Sequence, residues 1–301
     1  MTTFDQLVRK VRQNLLGYAM NQESVSELAA VMGPTDTTFT CDTGTVTNLS
    51  RGLVEIDDEL ILVKAYDATN GVVSVMGLTN GRGYEGTTAA SHTQNSLVIS
   101  NPAFPKARIK EAINETVRCL YPDLVVFDST EVTKLAPVIE YELPAEVDGV
   151  WYVTGQLIGP SKVAQPLPNW RYNPEARTAN FPSGKSIQLF DYVTAGQAIK
   201  IVYSKAPNAL VNGSDDLSTT GYPERIADLV TYGACKRLIP GLEAARLQLQ
   251  SVETTERAPL VPPQSAAKAA SLYASLYAER LQEERNRQWD ETPNYATFQG
   301  S

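Results

Sequence analysis

The chain is poor in the residues on which most catalytic and metal chemistry relies. It has a single histidine, His92, and three widely separated cysteines, Cys41, Cys119 and Cys235, in 301 residues. With no C-x-x-C pair, neither a disulfide framework nor a Cys/His zinc site is expected. The thiols read as small apolar residues in a reduced, cytosolic site of synthesis. Any Ser-His or Cys-His mechanism would have to use His92. No apolar run approaches the roughly 20 residues of a spanning helix. The opening Met1-Thr2-Thr3-Phe4-Asp5-Gln6 lacks the basic and apolar regions of a leader peptide. Neither membrane embedding nor export by the standard route is therefore expected. Positive charge is short as well, with Lys+Arg 26 against Asp+Glu 34 and a net charge of −8. A general nucleic-acid binder would cluster Lys and Arg against phosphates, whereas an acidic wall lets DNA slide past. What remains is ordinary for a folded protein, 43% hydrophobic and 20% charged, with length for about two domains.

Periodicity orders the chain as helix, β, helix, β, helices. Phe4, Leu7, Val8, Val11, Leu15 and Leu16 recur at helical spacing, with Thr3 or Asp5 as cap, and a second amphipathic helical stretch is read through Val25, Leu28, Ala29 and Val31. Between residues 37 and 100 the period changes to two. Strands are expected at 38–40, 53–56, 60–64, 72–76 and 96–99, with Asn70-Gly71 as a hairpin turn, giving a small antiparallel sheet or barrel. Residues 105–120 form the clearest internal helix, opened by Pro105 and closed by Tyr121-Pro122. Strands return at 138–143, 150–154, 186–190 and 198–203, around a long proline-bearing loop at 159–180. Helical spacing resumes from Pro223 and is broken at Pro240-Gly241. A short helix at 242–256 follows, then a long one at 264–288 carrying the four-apart pairs Arg280/Glu284 and Glu283/Arg287. The fold class is accordingly α+β. A helical bundle is interrupted by two antiparallel β insertions, a small β-barrel and a β-sandwich-like unit, and ends in a long C-terminal helix and an extended tail. The divisions are 1–35 (N-terminal helices), 36–102 (barrel), 103–124 (bundle helix), 125–212 (second β unit), 213–289 (C-terminal helices) and 290–301 (tail).

The motif-like segments favour structural readings. Gly81-Arg82-Gly83-Tyr84-Glu85-Gly86 fits G-x-G-x-x-G, but no helix follows to aim amides at a phosphate, so it reads as a glycine-rich loop. Pro182-Ser183-Gly184-Lys185-Ser186 resembles the end of a phosphate loop, yet Ala179 stands where its first glycine belongs, and a strand follows. It reads as a hairpin turn. Ser91-His92 lacks a nucleophile elbow, and His92 is assigned a local hydrogen bond instead. Of the acid clusters, Asp57-Asp58-Glu59 reads as a turn between strands and Asp215-Asp216 as helix-capping charge, without calcium-loop spacing. No cofactor or metal is expected. Trp289, Tyr295 and Phe298 stand out in an otherwise polar C-terminal stretch, which implies docking on something.

One ordered set of residues resembles virion proteins of tailed bacteriophages. It comprises Arg51-Gly52-Leu53-Val54-Glu55-Ile56-Asp57-Asp58-Glu59, then Arg82-Gly83-Tyr84-Glu85-Gly86-Thr87-Thr88-Ala89-Ala90-Ser91-His92. Asn101-Pro102-Ala103-Phe104-Pro105 then leads into the helix ending at Tyr121-Pro122. From Tyr222-Pro223-Glu224 onward, the chain is similar to head-to-tail adaptor proteins, which build a ring beneath the portal. The resemblance implies a non-enzymatic virion protein assembled in the host cytoplasm. Its partners would be the portal protein, the next neck or tail-tube protein, and itself in a closed, twelvefold ring through which double-stranded DNA passes. Arg280, Arg287, Trp289, Tyr295 and Phe298 are the portal-interface candidates. The alternative is a tail or baseplate protein whose second β unit binds glycan through Trp151, Tyr152, Trp170 and Tyr172, although the favoured reading of these four is that they fill its core. A hydrolase ranks third.

Overall fold

The computed structural model describes residues 2–16, 24–42, 51–156, 163–250 and 265–291. The chain divides into two compact units, one of residues 3–115 and 228–277, the other of 1–2, 116–227 and 278–301.

The first unit opens with helix α1 (Phe4–Leu16), whose Phe4, Leu7, Val8 and Val11 are buried on one face. Thr3 and Gln6 form a reciprocal cap. The Gln6 amide donates to Thr3 Oγ1 (3.3 Å) and the Thr3 amide to Gln6 Oε1 (3.2 Å), so the cap is Thr3. Six strands follow: β1 (Ser24–Glu27), β2 (Thr38–Thr40), β3 (Gly52–Ile56), β4 (Glu59–Asp67), β5 (Val72–Val75) and β6 (Leu97–Ser100). Between β5 and β6 lie a one-turn helix, α2 (Leu78–Gly81), and a 3-10 turn at Tyr84–Gly86. The sheet is antiparallel in the order β1-β6-β3-β4-β5-β2. Its edge strands are bridged at Leu28 and Cys41, where Ala29 N–H donates to Thr40 O (2.8 Å) and Asp42 N–H to Glu27 O (3.0 Å). The result is a partly closed barrel around Leu28, Met32, Phe39, Val54, Ile56, Ile61, Val63, Val73 and Val98. At the Asn70-Gly71 turn, Gly71 takes φ +67°, and the Asp67 carboxylate accepts from Thr69 N–H (2.9 Å) and the Asn70 amide group (2.7 Å).

Residues 24–27 correct the helical reading of that stretch. Val25 and Glu27 are exposed while Ser26 and Leu28 are buried, a period of two that pairing with β6 makes real. Four residues fit either period, and the sheet partner decides. Helix α3 (Lys106–Leu120) runs as expected after Pro105, with Ile109, Ile113, Val117 and Leu120 buried. Cys119 is exposed on it, against the expectation that all three thiols pack as apolar residues. Cys41 and Cys235 are buried, which pushes their thiols up to about 11 and about 12.

The second unit is a sandwich. Its strands are β7 (Val126–Thr133), β8 (Glu140–Glu142), β9 (Gly149–Gln156), β10 (Ala164–Pro166), β11 (Trp170–Asn173), β12 (Ser186–Leu189) and β13 (Ala198–Lys205). They form a four-stranded sheet, β10-β9-β13-β7, and a three-stranded sheet, β11-β12-β8. Both sheets contribute to one core, with Tyr141, Ile187 and Leu189 from one and Val153, Ile199, Ile201 and Tyr203 from the other. The segment expected as one long loop at 159–180 therefore contains β10 and β11. Its prolines allow this because Pro166 sits on an edge strand, where its missing amide costs no ladder bond.

Helices α4 (Ala227–Gln250) and α5 (Ser265–Glu291) complete the described residues. Pro240-Gly241 does not break α4, which continues through it to Gln250. The proline forfeits one amide bond to the Lys236 carbonyl, and the rest of the ladder carries the helix on. The remainder of the expected 242–256 helix lies outside the described residues. Within the first unit, α4 meets α1 where Cys235 Sγ lies 3.9 Å from Val11 O, and α3 where Arg237 pairs with Glu115 (3.2 Å). The start of α5 is tied to α1 by Tyr273 Oη donating to Asn14 O (3.2 Å), and to α4 by Tyr273 against Tyr232 (6.2 Å between centroids).

Candidate interface at the end of the C-terminal helix

The residues that carried the resemblance come together at one end of the barrel as a buried ionic cluster. Asp57 (φ +53°) makes the turn from β3 to β4, which places Glu59 inward. Arg82 donates from Nε and Nη2 to the two Glu59 oxygens (2.6 and 2.9 Å), both side chains being essentially inaccessible. Its remaining donors reach Gly33 O (2.7 Å), Asp36 O (2.9 Å) and Ala90 O (2.8 Å). Glu59 also accepts the Gly83 and Ala90 amides (2.9 and 3.0 Å). His92 bridges the acids, Nε2 to Glu59 (2.9 Å) and Nδ1 to Asp57 (2.8 Å). Burial pushes the Glu59 carboxyl up, but hydrogen bonds from Arg82, His92 and the two amides outweigh it and hold it well below the carboxylate range. The Glu59 bond raises His92 against its burial, and Asp57 adds to the rise.

This cluster absorbs three of the motif-like segments. Gly83 is glycine for its turn, with φ +58° and no room for a Cβ, which would lie 2.6 Å from Thr87 O. Ser91 Oγ donates to Met32 O (3.3 Å), and both nitrogens of His92 are engaged by carboxylates. Asp58 faces Lys106 (2.8 Å) and Lys110 (3.0 Å). Among the described residues, no group of three His, Cys, Asp or Glu side chains is placed to hold a metal. In the second unit, Pro182-Ser183-Gly184-Lys185-Ser186 is the loop into β12, where Gly184 has φ +71° and Lys185 Nζ is spent on Val147 O. Asp215 corrects its reading as helix-capping charge. It accepts the Val211 and Asn212 amides (2.9 and 2.7 Å) and so closes a loop turn.

The interface candidates converge at the end of α5. Glu284 is 2% exposed and is gripped by Arg225 Nε (2.8 Å), Arg280 Nη2 (3.1 Å) and Arg287 Nη1 (3.4 Å). The expected Arg280/Glu284 contact forms, but the expected Glu283/Arg287 pair is replaced, with Glu283 on Arg280 and Arg287 on Glu284. Arg225 also holds Glu291 (2.9 Å). Gln288 clasps the backbone ahead of β7, accepting from Val125 N–H (2.9 Å) and donating to Val125 O (2.6 Å). One residue on, Trp289 lies 6.5 Å from Trp151, which packs edge-on against Phe127 at 5.2 Å. Tyr295 and Phe298 lie outside the described residues. The α5 spacing identifies Arg280 and Glu284 in the sequence. Arg225 and Gln288 were missed, since their partners lie 59 and 163 residues away.

Beneath this helix end is a cavity of about 520 Å³ lined by Phe127, Trp151, Tyr152, Tyr222, Arg225 and Gln288, among others. The four aromatics weighed for glycan form no common platform. Trp170 and Tyr172 are half-buried against the sandwich core, whereas Trp151 and Tyr152 line the cavity. Glu284→Gln is expected to loosen the helix end by about 1–2 kcal/mol. The three arginines lose a charged acceptor, but all are open enough to regain water. Urea unfolding followed by tryptophan fluorescence measures it, since Trp151 and Trp289 sit beside the affected contacts. An unchanged midpoint would mean the arginine cluster contributes nothing.

Comparison with curated proteins returns no match. A family described as SU10 adaptor protein matches residues 87–297, more than two thirds of the chain. That span takes in the last part of the ionic cluster, the sandwich, and the described helix end with its arginines, Gln288 and Trp289. The chain belongs to the SU10 adaptor protein family and is an adaptor-type structural protein of a phage virion.

Proposed function

We propose that the protein is a non-enzymatic head-to-tail adaptor, joining the portal to the tail as a closed ring of twelve copies that lines the DNA passage. The family match over residues 87–297 carries this reading. The net charge of −8 supports it, because an acidic passage repels the phosphate backbone. The end of α5 and the residues after it are proposed as the portal contact, through Arg280, Arg287, Trp289, Tyr295 and Phe298. Arg287 and Trp289 are both more than half exposed and so are available to a partner. The next neck or tail-tube protein would meet the ring on its other side.

Quantitative mass spectrometry of purified particles tests the position. One copy per portal subunit is expected. A ratio of one half or one quarter would move the protein to a sixfold or threefold tail, and absence from particles would remove the virion role altogether. Deleting residues 290–301 is expected to weaken capture by isolated portal, and unchanged capture would place that contact elsewhere.

A further inference from the structure

We propose that the cavity beneath the end of α5 is a receptor for the chain's own residues 292–301, with the ring of Tyr295 or Phe298 seated against Phe127, Trp151 and Tyr152. Four observations lead there. Glu291, the last residue of α5, is itself part of the cavity wall, so the following ten residues begin at its mouth. At about 3.3–3.6 Å per residue, Tyr295 can extend roughly 14 Å from Glu291 and Phe298 roughly 24 Å, ample for a ring to enter. The volume, about 520 Å³, is in the range that encloses a compact organic group, and its wall sets four aromatic rings among aliphatic residues, with polar groups at Ser218, Arg225, Glu284, Gln288 and Glu291. The segment itself, Thr292-Pro293-Asn294-Tyr295-Ala296-Thr297-Phe298-Gln299-Gly300-Ser301, has no charged side chain to desolvate and two aromatics to bury.

Docking within one copy needs little intrinsic affinity. A short tether holds the segment at a local concentration in the millimolar range, so a contact too weak to last between separate molecules stays formed. Trp151, 37% exposed, gains a partner on its open face, and the aromatics of the segment are kept from indiscriminate association until a better partner draws them out. The inference concerns the free chain and is independent of the portal contact.

A labelled synthetic peptide of residues 292–301 tests it by fluorescence anisotropy on two full-length chains. The Tyr295→Ala/Phe298→Ala chain, its cavity emptied, is expected to bind the peptide. The unaltered chain is expected to bind about tenfold more weakly, because its tethered copy competes at millimolar effective concentration. Adding Trp151→Ala to the double variant should remove binding. A peptide that ignores the double variant up to millimolar concentration, or binds both chains equally, overturns the proposal. Sedimentation of both chains supplies the last arm, since an oligomer that only the unaltered chain forms would put the segment in a neighbouring copy and overturn docking within one. No portal protein is present, so failure here leaves the portal reading standing.

Discussion

Arg82→Ala is expected to cost the barrel about 3–5 kcal/mol, the penalty for stripping one partner from a buried ion pair. That is a large part of the roughly 5–15 kcal/mol by which a domain is stable. The size of the effect follows from what is left behind. Glu59 stays inaccessible and charged with its two-point partner gone, and the carbonyls of Gly33, Asp36 and Ala90 lose their shared donor. Those carbonyls belong to the chain segments before β2 and before β6, so a single guanidinium ties both to the β3–β4 turn. Arg82→Lys should recover little, because an ammonium has three donors and no planar fork to span Glu59 and the carbonyls together. A paired Arg82→Met/Glu59→Leu change removes both charges and should recover part of the loss, leaving the cost of the Asp36 and Ala90 carbonyls stripped of the guanidinium, while Gly33 O still accepts from Asp36 N–H (3.3 Å). The three tryptophans, Trp151, Trp170 and Trp289, all belong to the other unit. The measurement is therefore native-state hydrogen exchange at the amides of β3, β4 and β6, not tryptophan emission. A loss below about 1 kcal/mol would show that the cluster is dispensable.

The same cluster marks where the sequence could be read and where it could not. Strands β2 to β6 were legible to within a few residues because each is a short run rich in apolar and β-branched residues fenced by Gly, Asn or Asp, with Asn70-Gly71 the clearest fence. The sandwich strands other than β7, β10 and β11 were legible for the same reason. Glu59 read only as a turn acid and Arg82 only as part of a glycine-rich loop, since nothing local announces a bond across 23 residues. The contact of His92 was expected, but its partners, 33 and 35 residues back, were not. Where local signals were ambiguous, tertiary pairing decided. Val25 to Leu28 fits a helix turn as well as a strand until β6 lies beside it, and Pro240 reads as a stop although α4 runs on. At the end of α5, spacing exposed Arg280 and Glu284 because helix geometry alone brings them together. Arg225 arrives from outside the helix and left no trace.

Barrel stability is expected to be highest between about pH 4.5 and 6.5 and to fall on both sides, with His92 responsible for the alkaline limb. The imidazole faces a carboxylate at each nitrogen, and only the protonated ring can donate to both. Its folded-state pKa is raised, so its contribution is complete below the unfolded value near 6.5 and drains away as the pH climbs through the folded value. Glu59 works in the opposite sense. Its pKa is depressed, so its contribution is complete above the unfolded value near 4.3 and is lost as acid protonates it. His92 is the only histidine, and burial keeps the Cys41 and Cys235 thiols neutral to about 11 and about 12, which leaves few other groups to titrate between pH 6.5 and 8. His92→Gln should therefore lower stability by about 1.5–3 kcal/mol at pH 6, the worth of hydrogen bonds to charged groups, and flatten the alkaline limb while sparing the acid one. Glu59→Gln should weaken both limbs, because His92 loses its principal partner along with the carboxylate. Hydrogen exchange of barrel amides across the pH range reads the two limbs separately. An alkaline limb that survives His92→Gln would mean that the ring is held neutral between its two acids, and that the cluster draws its strength from Arg82 alone.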